Sequence, residues 1–179
     1  MQSETVHPPP GSLGAGPSAD AAVTELFLAH RLSLVRLAFL LVGDQETAED
    51  VAQDAFAEVY RRWSRLADRG QLLPYLRTAV VNGCRMVLRR RAIVGRFRGH
   101  REVPFWSAEA AALLGETRRE VFLAVRALPR RQREVLVLRF YLDLSEAEIA
   151  QVMGVSRGTV KSTASRALKV LAGKLQEER

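Results

Sequence analysis

The chain has 179 residues, 47% of them hydrophobic and 26% charged, a globular composition rather than a disordered one. Twenty-seven Lys and Arg stand against 20 Asp and Glu, for a formal net charge of +7, and a basic balance of that size suggests a polyanionic partner. One cysteine, Cys84, excludes an intrachain disulfide scaffold, and His7, His30 and His100 lie too far from it and from each other for a zinc motif.

The charge is unevenly spread. Residues 20–63 hold four basic and eight acidic side chains, net −4. Residues 64–101 hold ten basic and one acidic, net +9, and residues 145–179 carry only +2. An acidic block followed by a basic one suggests two different partners rather than one diffuse attraction.

Residues 1–19 are rich in Pro and Gly and read as a disordered tail. No basic n-region with an apolar stretch behind it opens the chain, so the expected compartment is the cytoplasm. The longest apolar run, Leu37 to Val42, is far short of the roughly 20 residues that span a bilayer, so no membrane insertion is expected. From Asp20 to Val42, Val23, Phe27, Leu34, Leu37, Ala38 and Leu41 recur at helical spacing. Gly43 then suits a stop and Asp44 an N-cap. A second helix is predicted from Gln45 to about Trp63. Its apolar stripe includes Val51, Ala55, Phe56 and Val59, and Asp50, Gln53, Asp54 and Glu58 line the opposite face. Solvation alone would account for such a face.

Ser64 to Leu73 reads as a loop, and Pro74 suits a first helical turn. The third helix is expected to end near Arg91 in a cluster with Arg85, Arg89 and Arg90. Helix-dipole compensation accounts for one or two of these arginines, not for the continuing series Arg96, Arg98 and Arg101. Residues 93–115 lack a sustained period and read as a flexible linker, in which Phe105 and Trp106 are expected to dock on a neighbouring surface.

Glu116 to Ala127 reads as a short helix broken by Leu128-Pro129, and Arg130 to Tyr141 as the next. Ser145 and Glu148 form a capping box that starts another helix, which stops at Gly154. Ser156 caps the last one. Ile149, Met153, Val155 and Val160 are placed to fill the wedge between these two helices, as in a helix-turn-helix. Ser156, Arg157, Thr159, Lys161, Ser162, Ser165, Arg166 and Lys169 lie outward, with donors suited to phosphates and base edges.

Two stretches now match one family. Gly43-Asp-Gln-Glu-Thr-Ala-Glu-Asp-Val-Ala-Gln-Asp-Ala-Phe56, continuing to Tyr60 and Trp63, resembles region 2 of bacterial sigma factors. Leu128-Pro129, Arg131-Gln132-Arg133-Glu134-Val135, Leu144 to Ser156 and Thr159 to Ser162 resemble region 4. The gap between them is too short for a region 3 domain, so the chain resembles the extracytoplasmic-function (ECF) class of the sigma-70 family. The third helix departs from the family pattern at Tyr75, Val80, Val81 and Met86, and the last helix at Thr163.

The resemblance implies an all-α fold of two small helical domains, a region 2-like one over 20–92 and a region 4-like one with the helix-turn-helix over 116–179. It implies core RNA polymerase (the β′ clamp coiled coil and the β flap) and promoter DNA as partners, with an anti-sigma factor as a further one. Asp50, Gln53, Asp54 and Phe56 match the polymerase-docking helix. Arg77, Asn82, Arg85 and Arg89 match the helix that meets the −10 element, and Ser64 to Leu72 the loop that captures a flipped base. Ser156, Arg157, Thr159, Lys161, Ser162, Ser165, Arg166 and Lys169 match the −35 recognition helix. Tyr75 and Trp63 suit either stacking on bases or the core, and Asn82 either DNA or a local bond. The alternative function is a stand-alone helix-turn-helix regulator that binds an operator as a dimer. The sequence contains no phosphate loop, metal cluster or catalytic carboxylate pair, so neither enzyme chemistry nor a cofactor is expected.

Overall fold

The computed structural model describes residues 19–65, 71–98 and 116–177. Residues 1–18 of the tail, residues 66–70 of the 64–73 loop and residues 99–115, with Phe105 and Trp106, lie outside the described residues, whereas residues 93–98, expected in the linker, are helical. Within them the chain forms seven α-helices: α1 Ala19–Val42, α2 Gln45–Arg62, α3 Leu72–Arg98, α4 Glu116–Arg126, α5 Arg130–Phe140, α6 Glu146–Met153 and α7 Arg157–Glu177. A short 3-10 turn, Trp63–Arg65, follows α2.

The helix boundaries follow from local chemistry. Gly43, at φ +86, ends α1 in a conformation that favours glycine. The Asp44 carboxylate then accepts the Thr47 N–H at 2.8 Å and caps α2. Pro74 falls in the first turn of α3, where no intrahelical donor is lost. At Ser145 the capping box is complete, with the Glu148 carboxylate accepting the Ser145 N–H at 2.9 Å. Gly154, at φ +65, ends α6 in the left-handed conformation. The Ser156 hydroxyl accepts the Thr159 N–H at 3.1 Å and starts α7. α3 runs on to Arg98, beyond the expected end at Arg91, so the basic cluster lies within a helix rather than at its terminus.

α1, α2 and α3 pack as one unit around Leu34, Leu37, Leu41, Val59, Leu76 and Val80, all fully buried. Gly83 lets α3 approach α2 closely, since a Cβ there would lie 2.9 Å from Val51 Cγ1. α4 to α7 form the second unit, in which Ile149, Val160, Ala164 and Leu138 are buried. The predicted wedge is present, with Ile149 and Val160 fully buried and Val155 partly so. The two units touch. α1 packs on α4 and α5, α3 packs on α6, and one buried cluster runs through both. The Phe39 and Phe122 rings stack across the contact with centroids 5.6 Å apart.

Candidate functional site

The structure divides the candidate side chains into three groups. The first lies on α2. Asp50, Gln53 and Asp54 are exposed on its outer face. Phe56 is not on that face. It is 5% exposed, and its ring meets Phe27 edge-on at 5.1 Å. Its position in the helical period turns it inward with Ala52 and Val59, so the expectation that Phe56 touches a partner is corrected to a core role.

The second group lies on α3. An open cleft of about 820 Å³ runs between α2 and α3, and Asp54, Asn82, Arg85 and Arg89 all border it. Asn82 is exposed and accepts a hydrogen bond from Arg85 Nη1 at 3.2 Å, so it bonds locally. Arg89 is exposed. Arg85 is not free in the cleft. Its Nε and Nη2 donate to the two carboxylate oxygens of Glu134 on α5, at 3.0 and 2.8 Å. Glu134 is 2% exposed and is the buried charged residue among those described. Arg130 Nε stands 3.7 Å from the same carboxylate. Arg77 lies earlier on the same helix. Its charge helps lower the pKa of Glu148 on α6, behind the larger effect of the Ser145 hydrogen bonds. The Arg77 Nε, shielded from solvent, has no hydrogen-bond acceptor among the described residues.

Tyr75 and Trp63 are both partly buried against the core, and Tyr75 also borders the cleft. Arg91 leaves the basic row. It reaches back to the Val42 carbonyl, to the Thr47 hydroxyl at 2.7 Å, and to the Asp44 carboxylate.

The third group is the outer face of α7. Ser156, Arg157, Thr159, Lys161, Ser162, Ser165, Arg166 and Lys169 are all exposed there. They are not equally available. The Ser156 hydroxyl serves the cap and lies 2.9 Å from the Thr159 hydroxyl. Ser162 Oγ donates to the Thr159 carbonyl, and Arg166 Nε donates to the Ser162 carbonyl at 3.1 Å. Arg157, Lys161 and Lys169 are therefore the side chains of the row best placed to reach outward. No group of His, Cys, Asp and Glu among the described residues could hold a metal ion.

Sequence reasoning did not anticipate Glu134 or Arg133 as partners of the first unit. Arg133 Nη1 donates to the Leu41 carbonyl at 2.8 Å, and Arg126 Nη1 donates to the same oxygen at 3.2 Å. The one signal was that charged residues recur inside the otherwise apolar helix 130–141.

Two family descriptions match the chain, in order: sigma-70 region 2 over residues 26–93, and sigma-70 region 4 over residues 118–171. The chain is 34% identical over 149 residues to an RNA polymerase sigma-E factor of Streptomyces avermitilis, covering 80% of this chain and 79% of that one. It is 33% identical over 155 residues to the ECF RNA polymerase sigma factor SigM of Mycobacterium tuberculosis, covering 84% and 76%. Among solved structures, the fold is similar to the sigma factor RpoE of Bartonella quintana, seen in complex with the anti-sigma factor NepR. There the TM-score is 0.67 at 21% identity, over 87% of this chain and 98% of the other. With both regions present in order on one all-helical chain, the protein belongs to the sigma-70 family of RNA polymerase sigma factors, in its ECF class.

Proposed function

We propose that this sigma factor divides its work among three helices. The acidic face of α2, through Asp50, Gln53 and Asp54, docks on the β′ clamp coiled coil of core RNA polymerase. α3, through Arg77, Asn82, Arg85 and Arg89, engages the −10 element and the strand separated from it. α7 enters the major groove at the −35 element, with Arg157, Lys161 and Lys169 leading and Ser156, Thr159, Ser162, Ser165 and Arg166 completing the row. Region 4 also meets the β flap, and an anti-sigma factor is a further partner in the cytoplasm. The domains that carry these roles are residues 20–92 and 116–179.

The observation that carries this reading is the ordered pair of family matches, regions 2 and 4. It gives the first half of the chain a role that a stand-alone operator-binding regulator lacks, so that alternative is not favoured. The major-groove assignment is supported by a capped helix whose outer face is polar and basic while its inner face is buried.

The test is reconstitution. The purified chain is mixed with core polymerase and promoter fragments, and transcripts are mapped. Transcripts that start at one promoter-dependent position are expected. Absence of transcripts, together with sequence-specific binding of DNA by the chain alone, would refute the reading.

A further inference from the structure

An apolar groove lies where α4, α5 and α7 meet the end of α1. Its open volume is about 430 Å³, and its walls include Val121, Phe122 and Val125 of α4, Phe140 of α5, Leu171 of α7 and Leu40 of α1. That is room for a drug-sized apolar group, since pockets of this kind run from roughly 300 to 1,000 Å³. Two of the walls are bare. Phe140 is 64% exposed and Val121 41%. The Arg139 guanidinium stands over the Phe140 ring, 5.9 Å from its centroid, and leaves the groove side uncovered. Contiguous apolar surface of this sort marks a docking site.

The chain carries an occupant of matching chemistry. Phe105 and Trp106 stand side by side in the 17 residues, 99–115, that join α3 to α4. Each such ring can bury about 150–250 Å², and aromatic walls offer it edge-on and offset contacts. The tether reaches from both sides. Trp106 precedes Glu116 by ten positions, a span of up to about 33 Å. Val121 lies five residues into α4, only about 8 Å from its start. On the other side, Arg91 of α3 bonds the Val42 carbonyl, two residues after Leu40 of the groove wall. α3 ends at Arg98, about 10 Å further on. Phe105 follows Arg98 by seven positions, up to about 23 Å of chain.

We propose that Phe105 and Trp106 occupy this groove and pin the linker to region 4 as an internal aromatic anchor. The surface that the groove presents is then already covered by the chain itself. The anchor also shortens the connection between the two units, because residues 99–104 alone, six rather than 17, remain as tether.

Of the two tryptophans, Trp63→Phe leaves Trp106 as the one indole of the full-length chain. Its emission should be blue-shifted, and its quenching by acrylamide severalfold weaker than in urea. Both readings should be independent of protein concentration at the mass of one chain. Adding Phe140→Asp should shift the emission to the red and raise quenching toward the urea level. Val121→Asp should act in the same direction, and it decides if the Phe140→Asp chain loses its helical circular dichroism. The groove itself is read with Nile red, a neutral dye that brightens on apolar surface. The wild type should take up little, Phe105→Ser with Trp106→Ser should brighten the dye severalfold, and Phe140→Asp on that background should remove the gain. A Trp106 open to quencher in the native chain, or shielded but indifferent to both groove substitutions, would overturn the anchor. So would a wild type that takes up as much dye as the linker variant, since the groove would then stand open for a separate partner. Shielding that appears only with a dimer mass would overturn it too, with a second copy as the occupant.

Discussion

Arg91 and Asp44 stand 47 positions apart and form an ion pair that joins the start of α2 to the later part of α3. The same guanidinium donates to the Thr47 hydroxyl and the Val42 carbonyl. Asp44 is also the N-cap of α2, so one carboxylate fixes both a helix end and a helix pair. Asp44→Ala should destabilise region 2 by about 1 kcal/mol for the cap alone, and by more with the Arg91 bond lost. A double-mutant cycle with Arg91→Ala, read by urea unfolding, would give the coupling. Strict additivity would mean that the pair contributes nothing.

Acid should reveal the same carboxylate. Burial works against the charged form of Asp44, but the hydrogen bonds from Thr47 and Arg91 outweigh it and hold the group below its ordinary value of 3.8. The unfolded chain therefore takes up this proton first as pH falls. The stabilisation is full above 3.8 and is lost as pH drops through the folded-state value. Glu148, lowered by its bonds to Ser145, acts in the same direction at the helix-turn-helix. Melting temperatures should hold steady from neutral pH to about 5 and then fall. Asp44→Asn, which can still cap, should show a weaker acid dependence, and an unchanged one would assign the acid loss elsewhere.

The acidic face of α2 offers a clean separation of binding from folding. Asp50 and Asp54 are exposed, and no ion pair between either of them and a neighbour is described. Reversing both to Lys should weaken core polymerase binding about tenfold or more, chiefly through the on-rate and its salt dependence. The melting temperature should stay near wild type. A matching loss of stability would point to a structural defect instead.

On α7, Arg157→Ala or Lys161→Ala should weaken −35 binding by holoenzyme. A side chain that reads a base edge contributes about 1–3 kcal/mol and should relax preference at one position. One that contacts only phosphate should weaken all sequences alike and reduce the salt slope. Ser156→Ala should act differently, by fraying the start of α7 and lowering stability by about 1 kcal/mol.

Cys84 supplies a built-in reporter. It is 1% exposed. Burial, reinforced by the nearby charge of Glu134, pushes its thiol up to about 12. Its contact is with the Ala38 carbonyl inside region 2. An aromatic disulfide reagent should therefore react about a hundredfold more slowly in buffer than in urea, because little thiolate forms and access is closed. Glu134→Gln should leave that protection in place, since the thiol is covered within region 2, against the Ala38 carbonyl.

Local structure was largely legible in the sequence. The caps at Asp44, Ser145 and Ser156, the stops at Gly43 and Gly154, and the wedge residues are short-range signals, and each lies where its chemistry requires. The outer faces of α2 and α7 follow from helical period alone. What the sequence did not make legible is long-range. Helical period places Phe56 on the apolar stripe, where its ring meets Phe27, and only the family resemblance matched it to a docking role. Arg85, Arg91, Arg126 and Arg133 looked like, or were passed over as, surface cations. Their partners on other helices include groups 44 to 92 positions away, a separation that no local pattern encodes.

Those internal guanidinium bonds bear on the ionic atmosphere around the protein. Of the ten cations between residues 64 and 101, Arg85 and Arg91 already neutralise carboxylates of the chain itself. Each cation that meets a single-strand phosphate releases a condensed counterion and steepens the dependence of log affinity on log salt by about 0.7. The chain should therefore show a shallower salt dependence than its formal charge implies. Freed from Glu134, Arg85 would add about 0.7 to that slope on meeting a phosphate, while Arg91, held by Asp44 within region 2, should add nothing.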